Sequence, residues 1–164
     1  MKRILVISDT HVPERAQKLP PQFVNQIRSE EIIVHAGDFT NLEVLQELQK
    51  LGKVYAVWGN MDEGRVKKVL PEKEILEIEG KKIGIYHGYG APDNLEKKVY
   101  DKFDQNLDVI VFGHSHTPYN QKLENCLMFN PGSLSGNKNT GWPSYGILNI
   151  DQSEIWGEIV EIKN

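Results

Sequence analysis

Two histidines, His114 and His116, stand one residue apart in the heptapeptide VFGHSHT (111–117), just after an apolar run and a glycine. In extended backbone, alternate side chains point to one face, so both imidazoles can reach one small site or two adjacent ones. The same placement recurs along the chain. RILVIS runs into Asp9-Thr10-His11, EIIVHAG into Asp38, KVYAVWG into Asn60-Met61-Asp62, and KIGIY into His87-Gly88. Four of the five histidines thus follow apolar runs, together with two aspartates and an asparagine. In open α/β sheets that position faces the crevice where ligands bind.

Imidazole nitrogen, carboxylate oxygen and one amide oxygen are ligands for metal ions. The seven candidate side chains are Asp9, His11, Asp38, Asn60, His87, His114 and His116. They are too many for one tetrahedral ion and suit two divalent ions sharing a bridging carboxylate and a bridging water. The absence of thiolates disfavours a structural zinc site. So many imidazoles disfavour calcium and all-oxygen magnesium cages. Manganese, iron, zinc, cobalt or nickel remain.

These residues need a scaffold. Continuous Val/Ile/Leu runs read as strands covered on both faces. Between them, PPQFVNQIRSE places Phe23, Val24 and Ile27 at helical spacing, and APDNLEKKVYDKFDQN does the same with Leu95, Val99 and Phe103. TNLEVLQELQKLG carries a stripe of Leu42, Leu45, Leu48 and Leu51, with Thr40 or Asn41 as N-cap and Gly52 as a stop. After His116 the texture changes. YNQKLENCLMFN reads as a hairpin turning at Glu124-Asn125, and SYGILNID with EIWGEIVEIK as a second hairpin around DQS. Strand–helix alternation followed by antiparallel strands predicts an α/β fold of two packed, mainly mixed sheets flanked by helices, four layers in all.

The length of 164 residues fits a single domain, 1–164, and 39% hydrophobic with 26% charged residues is ordinary for a globular protein. A formal net charge of −4 argues against duplex-DNA binding through a broad basic face, and no aromatic-and-basic track of the single-strand type is evident. Nucleic acid is therefore not indicated as a partner. Cys126 is the only cysteine and reads as a small strand residue. The opening apolar run is too short for a signal-peptide core, and no stretch is long enough to span a membrane. A cytoplasmic location is the expectation.

In order, SDTH (8–11), GDF (37–39), GNMD (59–62), YHG (86–88) and GHSH (113–116) resemble the D-x-H, G-D, G-N-x-[DE], H and G-H-x-H blocks of calcineurin-like metallophosphoesterases. NPGS (130–133) followed by PSYGIL (143–148) extends the likeness to most of the chain and is similar to the small bacterial and archaeal phosphodiesterase branch. The resemblance implies that Asp9, His11 and His116 hold one metal, that Asn60, His87 and His114 hold the other, and that Asp38 bridges them. It also implies a catalytic role for Asp9, Asp38, Asn60 and His87. The reaction implied is hydrolysis of a small phosphate ester, most simply a phosphodiester, by in-line attack of a metal-bridging hydroxide.

The pattern departs from the family where many members carry histidine after Gly-Asn: here stands Met61, which cannot donate a proton. Leaving-group protonation must then come from water, the substrate or another residue, unless Met61 only packs in the pocket wall. Asp62 is a candidate to hydrogen-bond a ligand histidine. His35 reads as a core histidine, Thr10 and Ser115 as compact spacers, Tyr89, Tyr119 and Trp142 as packing residues, and Lys138 as a candidate phosphate contact. Two other readings stay open. A eukaryotic retromer subunit resembles the same branch and serves as a scaffold, and a phosphomonoesterase or nuclease would differ only in substrate. Exposed edges of antiparallel strands leave a homo-oligomer open.

Overall fold

The computed structural model describes residues 1–11, 18–136 and 141–163. Among these residues, ten strands form two mixed sheets of five. Strands β1 (Lys2–Ile7), β2 (Ile32–His35) and β3 (Lys53–Ala56) run parallel; β9 (Ser144–Asp151) and β10 (Glu154–Glu161) extend the sheet antiparallel in the order β10-β9-β1-β2-β3. In the other sheet β5 (Lys81–Tyr86), β6 (Val109–Val111) and β8 (Cys126–Asn130) are parallel, edged by β4 (Lys73–Ile78) and β7 (Tyr119–Leu123), in the order β4-β5-β6-β8-β7.

Alternation along each strand divides the side chains between layers. Ile4 and Val6 of β1 point between the sheets, where they join Val34, Ile83, Ile85, Val109, Val111 and Phe129 in the central core. Leu5 and Ile7 point the other way. They pack with Phe23 of α1 (Pro21–Val24), Val44, Leu45 and Leu48 of α2 (Leu42–Leu51), and Val66 of α3 (Gly64–Val69). On the far side, Ile110 and Met128 meet Leu95 and Val99 of α4 (Leu95–Tyr100). This is the expected four-layer arrangement of helices, two sheets and helices. Cys126 is the buried strand residue anticipated, its thiol pushed up to about 11 by burial.

The helices differ from expectation in extent. PPQFVNQIRSE forms only the four-residue α1 before turning, and α4 covers six residues of its segment. Each buries just one or two residues, too little to hold a longer helix against its entropy. The α2 segment meets expectation, with Asn41 as N-cap and Gly52 as C-cap, although no side chain caps its start. Strand β4 and helix α3 were not anticipated. The signal for β4 lay in KEILEIEGKKI, where Glu79 and Gly80 both have positive φ (51° and 78°), as a two-residue hairpin turn requires. No helix among the described residues is long and apolar enough to cross a membrane.

The register explains where chemistry can gather. Ile7 pairs with His35, and His35 with Ala56; Ile85 pairs with Val111, and Val111 with Phe129. The parallel strands therefore end level, and their following loops share one edge of the sandwich.

Candidate metal centre

All seven predicted ligands meet at that edge. Asp9, His11, Asp38, His87 and His116 are buried, His114 is half-buried, and Asn60 is exposed. The cluster is closed at its base and open on the Asn60–His114 side. Five of the seven sit at positive φ: Asp9 (54°), His11 (46°), Asp38 (63°), His114 (73°) and His116 (64°). This conformation costs a non-glycine residue about 1–2 kcal/mol and turns each chain back sharply at its strand end. Strain of this kind concentrates at functional sites.

Two donor sets are visible. In one, the Nε2 atoms of His11 and His116 lie 3.2 Å apart, and Asp9 Oδ1 is 3.6 and 3.3 Å from them. In the other, His87 Nε2 lies 2.9 Å from Asn60 Oδ1 and 3.2 Å from Asp38 Oδ2, and His114 Nδ1 is 3.1 Å from the same asparagine oxygen. Both carboxylates reach between the sets. Asp38 Oδ2 is 3.9 Å from His11 Nε2, and Asp9 Oδ1 is 3.8 Å from His87 Nε2.

The hydrogen bonds around the cluster aim lone pairs inward. Ala36 O lies 2.7 Å from His87 Nδ1 and can only accept, so that nitrogen carries the proton and Nε2 presents its lone pair to two oxygens. Gly90 O, 2.8 Å from His114 Nε2, leaves His114 Nδ1 facing Asn60 Oδ1 in the same way. Asp9 Oδ2 accepts from Ser8 Oγ (2.5 Å) and from the His114 backbone N–H (3.1 Å). Asp9 Oδ1 is buried with no hydrogen bond. Converging lone pairs and an orphaned buried carboxylate oxygen call for positive charge. Without a metal, protons supply it. Burial opposes the Asp9 charge, but the nearby imidazoles of His87, His11 and His116 hold its carboxyl well below the usual range. Burial likewise opposes protonation of His87, yet Asp9, Asp38 and the Ala36 carbonyl raise it to about 9. A divalent cation would fill the same demand, and the groups Asp9–His11–His116 and Asp9–Asp38–His87 each bring three donor atoms close enough to hold one.

The surroundings correct several expectations. Asp62 does not touch a ligand histidine: its carboxylate accepts backbone N–H groups from Asp38 (2.9 Å), Thr40 (2.9 Å) and Gly59 (2.8 Å), clamping the Asp38 loop to the Asn60 loop. Burial and the charge of Asp38 raise its pKa against those bonds. Met61 is 50% exposed, and its backbone N–H donates to Asp38 Oδ1 (2.7 Å). Thr10 is more than a spacer, its hydroxyl lying 3.3 Å from His35 Nε2. His35 is fully buried, stacks on Phe39, accepts from the Gly37 N–H, and is kept neutral by burial, with a pKa of about 3. Ser115 Oγ takes the Thr117 N–H and a bond from Asn130 Nδ2. Tyr89 is 44% exposed and sets its ring edge-on against that of Tyr86, 6.4 Å between centroids. Lys138 lies outside the described residues.

Residues of NPGS serve the site in a way their types alone do not signal. Asn130 Nδ2 donates to Gly113 O (3.0 Å), and Ser133 Oγ to Asp9 O (2.7 Å). Gly113 is required by close approach: a Cβ there would lie 2.6 Å from Asp9 Oδ2 and would overlap Ser8 Oγ.

Comparison with known proteins agrees with this geometry. Residues 1–153 match the family model of the calcineurin-like phosphoesterase superfamily domain, and the chain belongs to that family. It is 36% identical over 156 residues to a probable metallophosphoesterase of Methanothermobacter thermautotrophicus, covering 94% of this chain and 90% of that one. A protein of Methanocaldococcus jannaschii named a phosphodiesterase is 31% identical over 170 residues, covering 96% and 98%. Among solved structures, a Thermotoga maritima protein superposes with a TM-score of 0.77 at 36% identity, covering 99% and 100%. Vps29 of Entamoeba histolytica, solved in complex with zinc, gives 0.75 at 25% identity, covering 97% and 98%.

Proposed function

We propose that this chain is a phosphoesterase that works with two divalent cations, and that its substrates are phosphodiesters. The observation that carries the reading is the orphaned Asp9 Oδ1, ringed by the Nε2 atoms of His116, His11 and His87 at 3.3, 3.6 and 3.8 Å. Asp9, His11 and His116 would hold one ion and Asn60, His87 and His114 the other, with Asp38 between them. When bound, such ions supply Lewis acidity, lowering the pKa of a water and neutralising charge on phosphoryl oxygens. The chain's part is to hold the donors. Ala36 O and Gly90 O fix the imidazole tautomers, and Ser8 and the His114 N–H orient Asp9.

A small phosphate ester enters on the open Asn60–His114 side. Water attacks phosphorus, the bond to the leaving alcohol breaks, and no side-chain nucleophile is needed. With methionine at 61, the departing oxygen takes its proton from solvent, which favours esters with good leaving groups. Manganese is the ion proposed first; iron, zinc, nickel and cobalt suit the same nitrogen and oxygen donors. The likeness to a named phosphodiesterase supports the diester assignment.

The test is a panel of phosphomonoesters and phosphodiesters assayed after chelation, with each divalent metal returned in turn. Diester hydrolysis restored by at least one metal, and lost in Asp38→Asn and His87→Ala proteins that remain folded, is expected. The likeness to Vps29 favours a second reading, a protein-interaction module on this fold. Hydrolysis restored by no metal would overturn the enzyme reading in its favour.

A further inference from the structure

The loop after β5 joins the centre to a second positively charged feature. Gly90 O accepts from His114 Nε2 (2.8 Å), and the next carbonyl, Ala91 O, accepts from Lys98 Nζ of α4 (2.6 Å). Lys98 Nζ also lies 3.4 Å from where a Cβ on Gly90 would stand. With standard backbone dimensions, its ammonium is therefore within about 9 Å of the His114 ring. Beside it, Tyr89 presents an exposed ring with Lys98 Nζ 5.5 Å and Lys102 Nζ 4.9 Å from its centroid. Neither ammonium has a carboxylate within 4.0 Å among the described residues, whereas neighbouring Lys97 is paired with Asp101 at 2.8 Å. Two cations without a carboxylate partner and an aromatic ring thus stand beside the loop whose Gly90 carbonyl meets His114, with Lys102 also 5.9 Å from the Tyr86 ring, in a chain whose net charge is −4.

We propose that Lys98, Lys102 and Tyr89 form a subsite for a second, non-scissile anionic group, so that the substrates of this chain are small phosphodiesters bearing another phosphate or carboxylate. This rests on the phosphoesterase reading for the scissile group only. Lys98 is held in place by Ala91, so it meets the second anion with little further ordering. Lys102 adds a second charge, and the Tyr89 ring faces both ammonium groups.

The experiment measures, by calorimetry on the metal-loaded protein, the affinity for adenosine 3′,5′-bisphosphate and for inorganic phosphate. Lys98→Gln should weaken the bisphosphate by about fivefold, the upper range for an exposed ion pair, and the double variant with Lys102→Gln by more. Inorganic phosphate, which cannot span both places, should change less than twofold. Lys67→Gln, which removes a lysine stacked on Trp58, is the charge control and should change neither. Equal losses for both anions, or none for the bisphosphate, would overturn the subsite. Stronger lysine dependence for a short oligonucleotide than for the bisphosphate would overturn the assignment to small esters. Turnover of bis(p-nitrophenyl) phosphate by the unaltered protein reports separately on the phosphoesterase reading. Turnover without lysine-dependent bisphosphate binding leaves that reading standing and removes this one; lysine-dependent binding without turnover does the reverse.

Discussion

Asp62 offers the sharpest test of how the centre is held together. Its carboxylate is 6% exposed and accepts three backbone N–H groups: Oδ2 takes those of Asp38 and Gly59, and Oδ1 that of Thr40. Asp62→Asn can keep its oxygen toward the paired donors, but its amide N–H₂ then faces the Thr40 N–H. One charge-assisted bond is lost, worth about 1.5–3 kcal/mol, and two others fall to neutral strength, about 1 kcal/mol each. Relief of the buried charge beside Asp38 offsets part of this, since burial and that neighbour raise the Asp62 pKa. The net expectation is a loss of roughly 2–3 kcal/mol, read as a lower urea midpoint at unchanged slope. Because the clamp joins the Asp38 and Asn60 loops, metal affinity should fall as well, by about 10–100-fold. Calorimetric metal titration of the folded variant measures that. A variant within about 0.5 kcal/mol of the parent would refute the hydrogen-bond reasoning. One that lost stability but bound metal unchanged would refute the positioning role.

Three more outcomes are expected. The His87 pKa is about 9 against 6.5 unperturbed, so its contribution to the metal-free protein is complete below pH 6.5 and is lost as pH rises through about 9. Denaturant melts across that window should show falling stability, while metal uptake near pH 7 should release a proton, measurable in buffers of different ionisation enthalpy; a flat profile with no proton release would contradict it. Gly113→Ala forces a Cβ to within 2.6 Å of Asp9 Oδ2, and should cost about 1–3 kcal/mol together with metal affinity; unchanged metal binding would show that the close approach is dispensable. Met61→His should speed hydrolysis of an ester with a poor leaving group more than one with a good leaving group, and equal rates on both would remove Met61 from the account of leaving-group protonation.

Much of the fold was legible because its signals are local. An apolar run followed by a compact polar cluster marks a buried strand and its end, and hairpin turns announce themselves in Glu124-Asn125 and in DQS. Helix lengths were less legible. A stripe such as Phe23, Val24 and Ile27 carries the period of a helix, but whether the chain stays helical depends on how much of that face finds a partner. In this fold only Phe23 of α1 is buried, whereas α2 buries Val44, Leu45 and Leu48 and runs to full length. Strand β4 is hard to read in the sequence because its half-exposed pattern is weaker than the continuous runs of the inner strands.

The sequence alone determined the inventory of the centre: which donor types exist, and that each follows a strand. Strand ends and donor chemistry are properties of short segments. Tertiary structure decided which atoms are free to bind. Ala36 O selects the outer nitrogen of His87, Gly90 O the inner nitrogen of His114, and Ser8 with the His114 N–H leaves one oxygen of Asp9 unclaimed. A lone pair has a direction, and that direction is set mostly by partners distant in the chain, brought within 3 Å or so only when both sheets close upon each other.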